Sequence, residues 1–184
     1  MRVIAGSARH LKLKTRSGEE TRPTQDIVKE TLFNIIQMRV PGSSFLDLFA
    51  GSGSIGIEAL SRDADRAVFV DNSRDAVKVI WENLEFTHLT DRAQVITSDW
   101  RSALYSLENK GRFDMIYVDP PYKSGLEKKV LDVLRESKTA DSDTLIIIEA
   151  SRETDFSYVQ EMGYEVFKDK LYRNNRHLFL RKTR

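Results

Sequence analysis

The chain has 184 residues, 40% of them hydrophobic and 31% charged, with 29 Lys+Arg against 28 Asp+Glu. That length fits one domain able to bury roughly 70% of its unfolded surface, and the near balance of charge excludes both an acidic disordered tail and a uniformly basic nucleic-acid coat. The absence of cysteine excludes disulfides and thiolate metal sites, and no run approaches the ~18 consecutive apolar residues of a membrane span.

In chain order, residues 1–39 come first as a basic extension. VIAG and LKLK predict two short strands forming a hairpin. A polar loop (Ser17–Thr21) follows, and a helix starts near Thr24 with Ile27, Val28, Thr31, Leu32, Ile35 and Ile36 as its apolar stripe. From residue 40 to 184 the pattern changes to that of a single larger domain. FLDLF (45–49), RAVFVD (66–71), AQVIT (93–97), FDMIYVD (113–119) and TLIIIEA (144–150) read as short buried strands. Between them 54–62, 73–86, 99–109 and 125–138 carry helical spacing; Val77, Ile80, Trp81 and Leu84 fall at i, i+3, i+4 and i+7. Strands alternating with helices predict βαβ units, a mostly parallel sheet and helices on both faces. Asp155–Met162 predicts a further helix, and YEVF (164–167) and HLFLR (177–181) predict a closing antiparallel hairpin. The fold expected is α/β, Rossmann-like, with a seven-stranded sheet.

The N-terminus MRVIAGSARHLKLK lacks the continuous apolar segment of a secretory signal. Three scattered histidines, His10, His88 and His177, do not suggest a metal centre. A cytoplasmic protein with no metal and no membrane partner is the expectation. The net charge of +1 also divides unevenly: residues 1–39 carry +4, 40–167 carry −9 and 168–184 carry +6. Two basic ends on an acidic body point to a polyanionic partner met by the termini.

Gly51-Ser52-Gly53-Ser54-Ile55-Gly56 follows a strand and opens a helix, and Asp71, with Asn72 after it, ends the next strand 20 residues past Gly51. Glycines allow the tight turn and the close approach of a ligand, and the acid can accept from ribose hydroxyls. This describes a nucleoside-cofactor site, shared by NAD and S-adenosylmethionine. Asp47 precedes the loop and would repel a pyrophosphate, but it suits a cofactor bearing a sulfonium and an ammonium. Asp99 can take an adenine amino group, and Trp100 supplies a backbone amide. Three acids around one cleft favour S-adenosylmethionine.

Asp119-Pro120-Pro121-Tyr122 ends the fourth predicted strand, at the carboxyl edge where open α/β sheets bind ligands. The prolines make a rigid extended ledge. On it the Asp119 carboxylate and the Pro120 carbonyl can each accept one hydrogen of an exocyclic amino group, turning its lone pair toward a methyl donor. Tyr122 can stack on a base that has left its helix.

A (D/N)-PP-(Y/F/W) tetrapeptide after strand four of such a core resembles the amino-group methyltransferases of nucleic acids. Arg22-Pro23-Thr24 with ETLFNII (30–36), FLDLFAGSGSIGIEALSR (45–62), FDMIYVDPPY (113–122) and IIIEAS (146–151) are similar to the RsmD family, bacterial 16S ribosomal RNA guanine-N2 methyltransferases, over nearly the whole chain. The resemblance implies N2 methylation of one guanine of 16S rRNA during small-subunit assembly, on a partly assembled particle. It also implies that Arg22 and Thr24 lie with Pro121 beside the target. The basic residues Arg9, Lys12 and Lys14 would then grip phosphates. Three positions depart from the family's usual pattern: Ile27, where a basic residue often stands, Asp63, where Gly is usual, and the Arg173–Arg176 tail, which lacks a Tyr-Gly pair.

Other readings are an adenine-N6 methyltransferase of DNA or RNA, a cytosine-N4 DNA enzyme, an NAD-linked dehydrogenase, and a non-catalytic RNA-binding assembly factor. No span is left over for a separate target-recognition region, the acids oppose NAD, and intact Asp119, Pro120 and Tyr122 oppose the loss of chemistry.

Overall fold

The computed structural model describes residues 1–15, 23–121 and 124–183, the side chains of residues 23 and 24 excepted. Its elements are α1 (Pro23–Ile36), β1 (Ser44–Asp47), α2 (Ser54–Ser61), β2 (Arg66–Asp71), α3 (Arg74–Thr87), β3 (Ala93–Thr97), α4 (Trp100–Leu107), β4 (Met115–Val118), α5 (Leu126–Glu136), β5 (Leu145–Ser151), β6 (Tyr164–Leu171) and β7 (Asn175–Lys182). No helix among the described residues is long and apolar enough to cross a membrane. The chain divides into two compact units, Met1–Trp100 and Arg101–Arg184.

In the first unit the strand order is β3-β2-β1, all parallel, with Phe45 level with Ala67, and Phe69 level with Val95. In the second it is β4-β5-β7-β6, β4–β5 parallel and the β7 pairings antiparallel. The seven strands are those of the mixed, mostly parallel Rossmann-like sheet. The continuous apolar runs on β1, β2, β4 and β5 are buried on both faces, as strands inside a parallel sheet are.

Three expectations need correction, and a fourth is met in reduced form. Among the described residues the predicted N-terminal hairpin is a short antiparallel pairing of residues 1–3 with 11–13, with a bridge between Arg2 and Lys12, the Val3 N–H on the Leu11 carbonyl at 2.9 Å and the Leu13 N–H on the Met1 carbonyl at 3.1 Å. The N–H groups of Ile4 and Ala5 donate to the Glu58 carboxylate at 2.8 and 3.0 Å, and that of Ala8 to Ser61 Oγ at 3.0 Å. Side chains of α2 thus take the donors a longer ladder would use. The buried face of α1 is Lys29, Leu32, Phe33 and Ile36, whereas Ile27 is 62% exposed. On α3 the buried line runs through Ala76, Ile80, Asn83, Leu84 and Thr87, and Trp81 is largely outside it.

Finally, residues 155–162 form turns, not a helix. Asp155 accepts from both the N–H and the hydroxyl of Ser157, a local side-chain alternative to helical bonding. The backbone bonds there are irregular: Val159 to Phe156 spans three residues, Met162 to Tyr158 four and Tyr164 to Val159 five.

Candidate cofactor loop and amine-binding ledge

Strand β1 ends at Asp47, and the chain turns through Gly51 and Gly53 into α2. Gly51 (φ 55°) and Gly53 (φ 78°) both take left-handed backbone. A side chain at Gly51 would meet nothing within 4 Å, so this backbone stays open to a ligand. Gly56 is required for a different reason. A Cβ there would lie 2.3 Å from the Phe69 ring, so glycine lets α2 pack on β2.

Asp71, at the end of β2, accepts from the Gly51 N–H at 2.9 Å through Oδ2 and from the Ser73 N–H at 2.8 Å through Oδ1. Its carboxylate is therefore fixed in direction, with one lone pair of each oxygen turned elsewhere. Asn72 beside it is exposed. The Ser98 N–H donates to the Asp71 carbonyl at 3.1 Å, which brings the end of β3 alongside. Asp99 follows exposed, and Trp100 opens α4 half-buried. The structure thus assembles Asp47, Gly51, Gly53, Asp71, Asn72, Asp99 and Trp100 along the carboxyl edge of three neighbouring strands.

Asp47 is the most telling group. It is 1% exposed; Oδ2 accepts a long 3.4 Å bond from the Gly56 N–H, and Oδ1 is buried without a hydrogen-bond partner among the described residues. Burial pushes its carboxyl up to about 7, the Gly56 N–H opposes that, the neighbouring Asp71 charge adds to it, and the Phe49 N–H, too poorly placed to satisfy Oδ1, opposes it slightly. A buried acceptor without a donor is costly. A cation seated at the loop would supply what Asp47 lacks, so the donor set fits a cofactor with a cationic end.

In the second unit, Asp119 follows β4 half-buried, Pro120 is buried and Pro121 exposed. Arg22, Tyr122 and the side chain of Thr24 lie outside the described residues. Arg9, Lys12 and Lys14 are exposed on the arm, and Lys14 pairs with Glu82 at 2.9 Å.

Three supporting groups escaped the sequence reading. Glu58, fully buried, receives Ile4, Ala5 and Arg62, with the buried Lys29 ammonium at 3.5 Å. Burial draws that lysine below its usual range although Glu58 opposes it. Asn83 on α3 donates to the carbonyls of Ser52 in the glycine loop (2.9 Å) and of Lys14 (3.0 Å), and accepts from the Lys14 N–H (2.8 Å). In the second unit Glu149 accepts from the Tyr117 hydroxyl (2.5 Å) and from Asn175 (2.6 Å) and lies 3.0 Å from His177 Nε2; Tyr172 Oη lies 3.1 Å from His177 Nδ1. Burial disfavours the Glu149 charge, but hydrogen bonds from His177, Tyr117 and Asn175 outweigh it and hold the carboxyl below its ordinary value. The available signal in each case was a polar residue inside an apolar stripe: Glu58 in SIGIEALS, Asn83 beside Leu84, His177 heading HLFL.

A Rossmann-like core with a glycine loop, an acid closing the next strand and an Asp-Pro-Pro ledge after the fourth defines a methyltransferase. The family model described as conserved hypothetical protein 95 matches residues 1–181, and the chain belongs to this family, the RsmD family. Among relatives, the ribosomal RNA small subunit methyltransferase D of Haemophilus influenzae is 32% identical over 181 residues, covering 95% of this chain and 94% of its own. The protein of the same name from Escherichia coli K12 is 34% identical over 154 residues, covering 83% and 76%. A solved E. coli chain described as a candidate methyltransferase, yhhF, superposes with a TM-score of 0.83 at 29% identity, over 100% of this chain and 98% of its own.

Proposed function

We propose that the chain transfers a methyl group from S-adenosylmethionine to the exocyclic N2 of a guanine in 16S rRNA, on a partly assembled small subunit. The observation that carries the reading is the buried, unpartnered Asp47 oxygen beneath an open glycine loop, in a chain whose relatives are named small-subunit rRNA methyltransferases.

When bound, the cofactor supplies an electrophilic methyl on a sulfonium. Asp47, ionised against the cofactor's ammonium, and the Gly51–Gly53 backbone hold the methionine end. Asp71 accepts from the ribose hydroxyls with the lone pairs that Gly51 and Ser73 leave. Asp99 accepts from the adenine amino group, and Trp100 meets the ring edge through its backbone amide. Asp119 and the Pro120 carbonyl each accept one N2 hydrogen. This aligns the nitrogen lone pair, and the proton released passes to Asp119 or to solvent. Pro121 backs the base, and Arg9, Lys12 and Lys14 take phosphates. The chain's contribution is mainly alignment, an effect worth ~7–11 kcal/mol in well-oriented systems.

The test is Asp119→Ala in the full chain. Cofactor binding by calorimetry should persist, while transfer of labelled methyl to 16S rRNA and to unmethylated small subunits falls by at least about 100-fold. Normal methylation by the variant removes Asp119 from the reaction. A wild-type product of N6-methyladenine, or no transfer to either RNA, overturns the function.

A further inference from the structure

The N-terminal arm and α1 line an open cavity of about 340 Å³ that the methyl-transfer reading touches only through Arg9. That is the low end of the roughly 300–1,000 Å³ typical of small-molecule sites. Its apolar lining is Ile4 and Ile27, and its polar lining includes Arg9 and His10 of the arm and Glu30 of α1. Arg9, His10 and Glu30 make no side-chain hydrogen bond or ion pair among the described residues, while the remaining pair, Arg2 and Asp26, is satisfied internally at 3.5 Å.

The platform is rigid. The arm is fixed to α2 by Glu58 and Ser61 and to α3 by Asn83, and His10 is held in a left-handed backbone (φ 72°) with its N–H on the Val3 carbonyl at 2.9 Å. That conformation is uncommon for a residue with a Cβ. A guanidinium and an imidazole without partners, an accessible aliphatic surface and a carboxylate without a partner form a combination that neither an ion nor an apolar peptide would use in full. A nucleotide uses all three: phosphate on Arg9 and His10, base against Ile27, amino hydrogens on Glu30.

We infer that this cavity binds one nucleotide of the RNA substrate other than the methylated one, with a base that carries an exocyclic amino group. The inference rests on the RNA reading above for the identity of the polymer, but the cavity can be tested apart from it. In the first experiment, methyl-labelled isoleucine spectra of the full chain are recorded with CMP, GMP and UMP. CMP and GMP should shift the Ile4 and Ile27 methyls, and UMP, which offers no amino group, should shift them at least about fivefold less at equal concentration. Equal response to all three, or none, overturns the site.

In the second experiment, Ile27→Glu and His10→Ala/Glu30→Ala are assayed on naked 16S rRNA and on unmethylated subunits. KM for RNA should rise about tenfold on both substrates, with kcat and cofactor affinity within twofold of wild type. An unchanged KM overturns the inference, and so does a loss confined to assembled subunits, which would make the occupant a protein of the particle. If the wild-type chain methylates no RNA, the proposed function fails, while the nucleotide titration still decides the cavity.

Discussion

A carboxylate with a buried oxygen and no donor is a group that the folded chain carries at a cost. Asp47 shows the cost as a proton affinity raised to about 7 from an ordinary 3.8. The folded chain therefore binds more protons than the unfolded chain between those values. The stability this contributes is complete below about pH 4 and is lost as the pH rises through about 7. Over that window the ligand-free protein should lose on the order of 4 kcal/mol through this residue. Asp47→Asn has no proton to lose. Measured by urea unfolding from pH 4.5 to 8, the variant's advantage over wild type should grow by about that amount, and calorimetry should show that it no longer binds the cofactor. A parallel pH dependence of the two proteins would mean that Asp47 is ionised throughout, and would remove the argument that a cation completes it. Stability and binding pull in opposite directions at this residue, which is the usual sign of a functional group and not a structural one.

At the scale of elements, the glycine loop is held by two side chains, Asp71 on the Gly51 N–H and Asn83 on the Ser52 carbonyl, and the second also holds the arm. Asn83 reaches from α3 to the Ser52 carbonyl and to both backbone groups of Lys14, so the loop and the arm share one clamp. Asn83→Ala would leave buried backbone groups without partners, at a cost of about 3 kcal/mol. Hydrogen exchange should speed up at Lys14 in particular, with β2 and β3 unaffected; exchange unchanged at Lys14 would show that the arm is held elsewhere. How the arm is anchored was illegible in the sequence for this same reason. VIAG and LKLK have strand composition and pair briefly, Val3 with Leu11 and Leu13 with Met1, but the Ile4 and Ala5 donors go to Glu58 and the Lys14 donor to Asn83, more than 50 residues away, and no local pattern reports that. By contrast β2 and β3 were readable to the residue, because a short apolar run between turn signals has few other places to go. The helix predicted at 155–162 failed for a local reason, since Asp155 caps Ser157 and turns the chain before a helix can propagate. Within the candidate site, the loop, Asp71 and the proline ledge could be read because glycine and proline declare backbone geometry directly. Lys29, standing in the apolar stripe of α1, could not.

Across the whole molecule, the two basic ends do not have equal claims on a polyanion. Of the C-terminal cations, Arg176 is paired with Asp169 and lies over the Phe156 ring, and Arg181 lies over the Phe167 ring at 4.8 Å. The Lys182 ammonium donates to the carbonyls of Ser137 and Ala140 at 3.0 and 2.7 Å. These charges are engaged by the second unit's own structure. On the arm, Arg9 and Lys12 are exposed and make no side-chain bond among the described residues, whereas Arg2 is drawn aside by Asp26 and Lys14 by Glu82. Phosphate binding by counterion release scales with the number of cations that reach the backbone, at about 0.7 of a logarithmic slope per contact on single-stranded RNA. Neutralising Arg9, Lys12 and Lys14 together should therefore flatten the salt dependence of RNA affinity by about 2, with Lys14 contributing least. Arg176→Ala, Arg181→Ala and Lys182→Ala should instead lower the unfolding midpoint and leave the slope within experimental error. Affinities measured between 50 and 300 mM salt separate the two sets. A slope that falls with the C-terminal substitutions and not with the arm would reverse the assignment of which end meets the RNA.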